Sequence, residues 1–591
     1  MSRFENLSSF NDAFLRTALT HPGSLALRTL DDRVALTWGD VQRRANALAG
    51  GLARLGVGRG DPVALMLANR PEFHLADVAA MLLGAVPFSV YQTSSPEQIE
   101  YVVGDAGARV AVIERAYFEN FMKARQNLPS LEHVVVIDGE GEQGTLRLVE
   151  LEGADPGFDP EPGARRIGKD DLLTLIYTSG TTGPPKGVQL SHRNLLAACR
   201  AADSLIRFPE GGRVISWLPS AHIAERMAHH YLPILFAATI TTCDNPREII
   251  SVLPRVKPNF FFAVPRIWEK VKAGLEARIA SLPDAQRIPA QQAIAAGLEK
   301  VRLEQQGRPV PPELAEKAAR AETELFSKLR TLLGLDQVLG LNVGAAPTPP
   351  EVLEFFHAIG LEVGEVWGMS ETCGVGTTNP PGRARIGTVG PPVPGVEIKL
   401  AEDGEVLIRG ECVMSGYRNL PDKTAEAIDA EGWLHTGDVG EFDAQGYLRI
   451  IDRKKELIIN AAGKNMSPSN IESTLKAASP LIGQVCVIGD ARAYNTALVV
   501  LDADYAPAWA ESQGLGRRGL EELSRDAAVR AEVQAGVDRA NERLSRVEQV
   551  KRFTILPSDW LPGGDELTPT MKLKRKPIAE KYKALIEKMY A

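Results

Sequence analysis

Apolar residues recur along this chain at two periods, and the alternation between them sets the expected architecture. Across 37–55 they fall at Val41, Ala45, Leu48, Leu52 and Leu55, one stripe of an amphipathic helix that the glycines at 56–60 should end. Short β-prone runs at 63–67, 86–91, 109–113 and 133–137 read as strands, with helices near 71–83 and 96–103 between them. Strands alternating with helices imply an α/β fold with a parallel, doubly wound sheet covered on both faces. A buried strand is expected at 172–177, a helix at 195–206 and another buried strand at 260–264.

From 267 to about 335 the pattern becomes long, charged and helical, with breaks expected at Pro283, at Pro289 and at the cluster Pro309, Pro311 and Pro312. Its charges are mixed in sign, which marks a solvated insertion. Between 387 and about 454, glycines and short alternating runs (396–400, 405–408) predict a β-rich subdomain. After Lys455 the pattern restarts as a compact α+β unit. It has a helix at 468–478, strands at 485–488, 497–501 and 551–556, and helices between 507 and 544. The expected organisation is an N-terminal domain over 1–454 and a small, mobile C-terminal domain over 455–591.

Composition changes this picture only by exclusion. Hydrophobic residues at 44% and charged residues at 24% of 591 are those of a globular chain too long for one core. A net charge of −8 gives no reason to expect a nucleic-acid partner. Five scattered cysteines (Cys199, Cys243, Cys373, Cys412, Cys486) without a CxxC pair argue for a reducing compartment, against a disulfide framework and against a structural zinc site. No run approaches the roughly 18 apolar residues needed to span a bilayer, and the first thirty residues lack a signal-peptide core. The expectation is a cytoplasmic protein, with peripheral membrane contact left open.

Candidate chemistry begins where the strand at 172–177 ends. Thr178-Ser179-Gly180-Thr181-Thr182-Gly183-Pro184-Pro185-Lys186-Gly187 packs four hydroxyls, three glycines and one lysine into ten residues. Small residues let backbone N–H groups close on phosphate oxygens, hydroxyls donate further bonds, and Lys186 adds a positive charge. Pro185 and Gly187 flank the lysine, so this is not a Walker A loop. A second glycine pattern, 139–144, fits GxGxxG on paper. Two glutamates inside it would repel a pyrophosphate, and 145–151 reads as extended rather than helical, so an acidic turn is the better account.

Three later stretches add to the phosphate loop. Gly344-Ala345-Ala346 at a strand end lets a flat ring lie against backbone, and Trp367-Gly368-Met369-Ser370-Glu371 offers an aromatic plane, a hydroxyl and a carboxylate. A ring for stacking plus a carboxylate for a hard cation suits a nucleotide bound with Mg²⁺. Asp438, held after Gly437, either closes a turn or accepts the hydroxyls of a ribose. His222, between a proline-set turn and an apolar helix, fits both a satisfied core histidine and a pocket wall.

In this order the motifs resemble the adenylate-forming superfamily of acyl-CoA synthetases, luciferases and adenylation domains, across about 20–590. Leu218-Pro219-Ser220-Ala221-His222-Ile223-Ala224-Glu225-Arg226, Val264-Pro265-Arg266-Ile267-Trp268-Glu269-Lys270 and the ending 567–575 look most like the bubblegum-type long-chain fatty-acyl-CoA synthetases. The resemblance implies a fatty acid, ATP and CoA as substrates and Mg²⁺ as cofactor. Thr178 to Thr182 and Lys186 would hold the β- and γ-phosphates, with Thr182 also a catalytic residue. Gly344, Ala345 and Ala346 would line the adenine and Trp367 would stack on it. Gly368 and Met369 would belong to the ATP/AMP site, Ser370 would contact the α-phosphate, Glu371 would coordinate Mg²⁺ as a catalytic residue, and Asp438 and Arg453 would bind the ribose. Lys455 falls at the hinge, Gly463 near the CoA passage and His222 at the substrate pocket. Lys572 matches the catalytic lysine; Met571 stands where many relatives have glycine, and Lys574 is the competing choice. The same motifs would also serve a ligase that loads a carrier protein, or one for medium-chain or aryl acids.

Overall fold

The computed structural model describes residues 3–139, 144–155, 157–178, 184–460 and 465–591. An eight-stranded sheet organises the N-terminal half. Its parallel part runs, in spatial order, Leu172–Thr178, Val86–Ser89, Pro62–Met66, Val110–Ile113, His133–Val136 and Leu146–Arg147. Every residue of Pro62–Met66 is buried, which is why that run is continuously apolar instead of alternating. At the other edge the chain doubles back: Lys186–Ser191 lies antiparallel to Leu172–Thr178, and Gly416–Tyr417 lies antiparallel to Lys186–Ser191.

The helix Trp38–Arg54 starts on a capping box, in which Thr37 Oγ1 accepts from the Asp40 amide and Asp40 accepts from the Thr37 amide. Its paired glycines are a packing requirement. A Cβ on Gly51 would meet the Leu151 carbonyl oxygen at 2.1 Å, and one on Gly50 the Asp155 carbonyl oxygen at 2.7 Å. Leu151 lies on the helix Leu148–Gly153, so the extended reading of 145–151 is corrected: extension stops at Arg147 and one helical turn and a half follows. The rest of the GxGxxG stretch, 140–143, lies outside the described residues.

A second sheet pairs Arg213–Ser216, Thr239–Thr242, Leu25–Thr29 and Ala35–Thr37. A third pairs Phe260–Ala263, Gly340–Val343 and Val363–Trp367 in parallel, with Thr377–Thr378 antiparallel at its edge. Between its first two strands runs the helical insertion, Pro265–Ala280, Asp284–Gln305, Pro312–Ala321 and Ser327–Leu333. The break expected at Pro289 is absent: this exposed proline lies inside Asp284–Gln305, near its start, where it removes one hydrogen bond without meeting packed neighbours. The glycine-rich stretch forms an antiparallel sheet of Val396–Leu400, Glu405–Gly410, Leu434–Phe442 and Leu448–Arg453. One apolar core links one face of the eight-stranded sheet to the later sheets and the insertion, and a second, on that sheet's other face, holds Met66, Phe88, Ile113, Val136 and Tyr177.

A separate core begins at Ile458. It lies between the strands Ile482–Ile488, Asn495–Leu501 and Val550–Leu556 and the helices Pro468–Ala478 and Ala527–Arg543. The opposite face of that sheet packs Leu498, Val500 and Leu556 against Trp560, Leu567 and Ile578, which anchors the turn that follows Leu567. Ion pairs join the two bodies: Lys270 to Asp504 at 2.6 Å, Arg266 to Asp502 and Arg543 to Glu351. Among the described residues no helix is long and apolar enough to cross a membrane, and all five cysteines are buried and free of disulfides.

Candidate active site

The ends of three sheets meet the C-terminal body here. Thr178 closes its strand opposite Lys186, and its Oγ1 donates to the Lys186 carbonyl at 3.4 Å. Ser179, Gly180, Thr181 and Thr182 lie outside the described residues, as does Gly463. Lys186 opens the return strand, with its ammonium 3.9 Å from the centre of the Tyr417 ring. Enclosure lowers the Lys186 pKa, a shift that Lys455 adds to and Glu371 opposes. Gly187 packs close to the Tyr177 ring, where a Cβ would sit a tight 3.0 Å away.

Gly344 follows Gly340–Val343 so closely beside the next strand that a Cβ would meet Val366 Cγ2 at 2.8 Å. Ala345 then takes a positive φ of 69°, turning the chain away and leaving Ala346 exposed. Trp367 ends the strand Val363–Trp367 and is 9% exposed. Its ring lies against Gly376, where a Cβ would sit 2.9 Å from it, and its Nε1 donates to Asp438 Oδ2 at 2.7 Å. Gly368 touches the Gly374 backbone in the same way. Met369 and Ser370, both half-buried, lead into the single turn Ser370–Thr372, closed by Thr372 Oγ1 accepting from the Met369 amide at 3.1 Å.

Glu371 is 6% exposed, and its Oε1 accepts from the Tyr417 hydroxyl at 2.8 Å. Asp438 faces Arg453 across the strand pair, and Arg453 Nε donates to its Oδ1 at 2.7 Å. Each Asp438 oxygen thus holds one partner and retains a lone pair for another. Lys455 stands just past this strand, in the turn that leads into the second body.

Lys572 reaches this cluster from the C-terminal body. Thr568 holds the turn from both sides, its amide donating to the Lys572 carbonyl at 2.8 Å and its Oγ1 accepting from the Lys572 amide at 3.0 Å. Met571 sits at φ 66°, which accounts physically for a position where glycine is favoured. The Lys572 side chain keeps water-accessible surface, yet protein surrounds it in the cleft. That enclosure and the Arg453 guanidinium lower its pKa, while Asp438 and Glu371 raise it. Lys574 points elsewhere, its ammonium donating to the Gly564 carbonyl at 2.8 Å. His222 caps the turn Ile223–Arg226, with Nδ1 accepting from the Ala224 amide at 3.1 Å. Burial, with the Lys572 charge adding to it, brings this imidazole down to about 4, so it is neutral near pH 7.

Beneath His222 lies a buried polar network. Glu225 accepts from Ser216 Oγ at 2.6 Å, the Leu218 amide at 3.0 Å and Asn69 Nδ2 at 3.1 Å, and it contacts His229 Nδ1 at 2.7 Å. Arg226 pairs with Asp77 at 2.6 Å, and His230 Nε2 reaches the other Asp77 oxygen at 2.9 Å. Burial raises the Asp77 carboxyl, but Arg226 and His230 outweigh it and leave its pKa below the ordinary value. Two residues in or beside the site escaped the sequence reading. Tyr417 is 46 residues from Glu371, with no spacing to connect them. Glu365 is a buried carboxyl pushed up to about 8, one of whose oxygens has no partner. Among the described residues, no three His, Cys, Asp or Glu side chains converge as a metal cage.

Comparison with known proteins decides the family. The model of AMP-binding enzymes matches residues 14–418, and that of the AMP-binding enzyme C-terminal domain matches 455–591. The chain belongs to the AMP-binding enzyme family. Among its relatives, fadD11 of Mycobacterium tuberculosis, provisionally named a fatty-acid–CoA ligase, is 50% identical over 76% of this chain and 79% of its own. The long-chain-fatty-acid–CoA ligase FadD15 of Mycobacterium bovis is 35% identical over 94% of this chain and 92% of its own. The bubblegum ligase ACSBG2 of Gallus gallus is 33% identical over 90% and 74%. Among solved structures, the anthranilate CoA ligase AuaEII in complex with anthranoyl-AMP superposes with a TM-score of 0.76 at 21% identity, covering 99% of this chain and 100% of that one. This AMP-binding enzyme therefore has the mixed α/β fold of adenylate-forming enzymes, and its bubblegum-type resemblance is borne out.

Proposed function

We propose that this enzyme activates a long-chain fatty acid with ATP and transfers the acyl group to CoA, releasing pyrophosphate and AMP. The observation that carries the reading is Lys572, an ammonium brought from the second body to the cluster of Asp438, Arg453, Glu371 and His222. A carboxylate is a poor acyl donor because its leaving group is oxide. Its oxygen attacks the α-phosphorus of ATP, the bond from that phosphorus to the bridging oxygen breaks, and pyrophosphate departs. The sulfur of CoA then attacks the acyl carbonyl and AMP leaves with the C–O electron pair.

The enzyme's part is to place anions in line and neutralise charge. Lys186 and the loop from Thr178 to Thr182 would hold the β- and γ-phosphates. Trp367, with Gly344 to Ala346, would hold adenine; Asp438 and Arg453 would hold the ribose; Ser370 would meet the α-phosphate. Lys572 would bridge the fatty carboxylate and that phosphate. Glu371 would hold Mg²⁺: it offers a hard carboxylate, and among the described residues no three His, Cys, Asp or Glu side chains converge, which fits an ion that takes few protein ligands. When bound, that ion neutralises phosphate charge.

Lys572 serves the first step and must leave room for the second, so residues 455–591 would turn about Lys455 between two poses. Lys572→Ala tests this reading: acyl-AMP formation should be lost, while thioester formation from supplied acyl-AMP and CoA persists. Equal loss of both half-reactions would contradict it.

A further inference from the structure

The segment Cys412–Tyr417 is clamped onto the turn that carries Glu371. The Met414 amide donates to the Glu371 carbonyl at 2.8 Å, and Cys373 Sγ donates to the Cys412 carbonyl at 3.4 Å. Tyr417 itself is fixed from both sides. Its strand pairs with Val188 and Gln189, and its amide donates to Thr424 Oγ1 at 2.9 Å. Gly416 before it takes φ 146° with Thr424 so close that a Cβ would lie 2.8 Å away. Tyr417 as a whole is 6% exposed. One face carries the Lys186 ammonium, 3.9 Å from its centre, and its hydroxyl donates to Glu371 Oε1 at 2.8 Å.

We propose that Tyr417 is a positioning residue for adenylation, seating the phosphate lysine Lys186 on its ring and orienting Glu371 through its hydroxyl, with Oε2 left as the metal-facing oxygen. The inference rests on the assignment of Glu371 to Mg²⁺ and of Lys186 to phosphate. The two contacts have separable consequences. The hydroxyl fixes which carboxylate oxygen is free, an outer contact whose loss typically costs 10–100-fold in metal affinity. The ring holds an ammonium that enclosure would otherwise leave poorly placed, through a cation–π contact.

The test titrates Mn²⁺, followed by its paramagnetic resonance signal, into the enzyme with α,β-methylene-ATP, and measures binding of that analogue without metal. Tyr417→Phe should weaken Mn²⁺ binding about 10-fold or more and leave metal-free analogue binding unchanged. Tyr417→Ala should add a several-fold loss of metal-free binding. Circular dichroism melting confirms that each variant is folded. Glu371→Gln separates the two layers of the argument. If Glu371→Gln weakens Mn²⁺ binding and Tyr417→Phe does not, the role of Tyr417 is overturned. If both are silent, the metal assignment of Glu371 falls and the proposal falls with it.

Discussion

The indole N–H of Trp367 donates to Asp438 Oδ2 across 2.7 Å, tying the ring assigned to adenine to the carboxylate assigned to ribose. The other Asp438 oxygen is held by Arg453, so three residues from three strands form one connected polar unit. Trp367→Phe keeps a smaller stacking ring and removes the donor. A hydrogen bond to a charged acceptor contributes about 1.5–3 kcal/mol, so AMP affinity measured by titration calorimetry should fall by roughly 10- to 150-fold. An unchanged affinity would separate the bond from nucleotide binding.

The Asp77–Arg226 pair is fully buried and reaches across from the helix Pro71–Leu82 to the turn that His222 caps. Asp77→Ala strands the Arg226 guanidinium without its counter-charge. Removing one partner of a buried pair costs about 3–5 kcal/mol, which in an N-terminal domain of this size should lower Tm by roughly 3–5 °C. Replacing Asp77 and Arg226 together with apolar residues should recover much of that loss. A single variant as stable as the parent would show that the pair contributes little.

Much of the fold was legible because local patterns agreed with burial. The helix expected at 37–55 forms over Trp38–Arg54, the strand expected at 172–177 over Leu172–Thr178, and the helix expected at 468–478 over the same residues. The reading failed where tertiary packing overrode local pattern. Pro289 is tolerated near a helix start, and Leu148–Gly153 turns helical where it packs against the glycine face of Trp38–Arg54. In the site, single residues such as Trp367, Glu371 and Lys572 were visible because their neighbours form motifs. Their partnerships were not, since the Asp438–Arg453 pairing follows strand register and the Tyr417–Glu371 bond follows the meeting of two sheets. Nothing in one dimension encodes either distance.

The pH dependence of the two half-reactions should diverge. Enclosure and Arg453 hold Lys572 below its ordinary 10.5, and enclosure lowers Lys186 as well. The charged ammonium is the working form, so adenylation is intact below the folded pKa of Lys572 and declines as pH rises through it, at a pH below 10.5. Thioester formation from supplied acyl-AMP uses a thiolate and should rise over the same interval. Stopped-assay profiles of both steps check this, and parallel profiles would remove Lys572 from the first step alone.

The central claim is met most directly by pyrophosphate release across straight-chain acids of graded length, with and without CoA, followed by mass spectrometry of the products. Release that peaks with long acids and ends in acyl-CoA and AMP is the predicted result. Acyl-AMP that accumulates despite CoA, or release that peaks with short or aryl acids, would contradict the assignment of this enzyme to long-chain acyl-CoA synthesis.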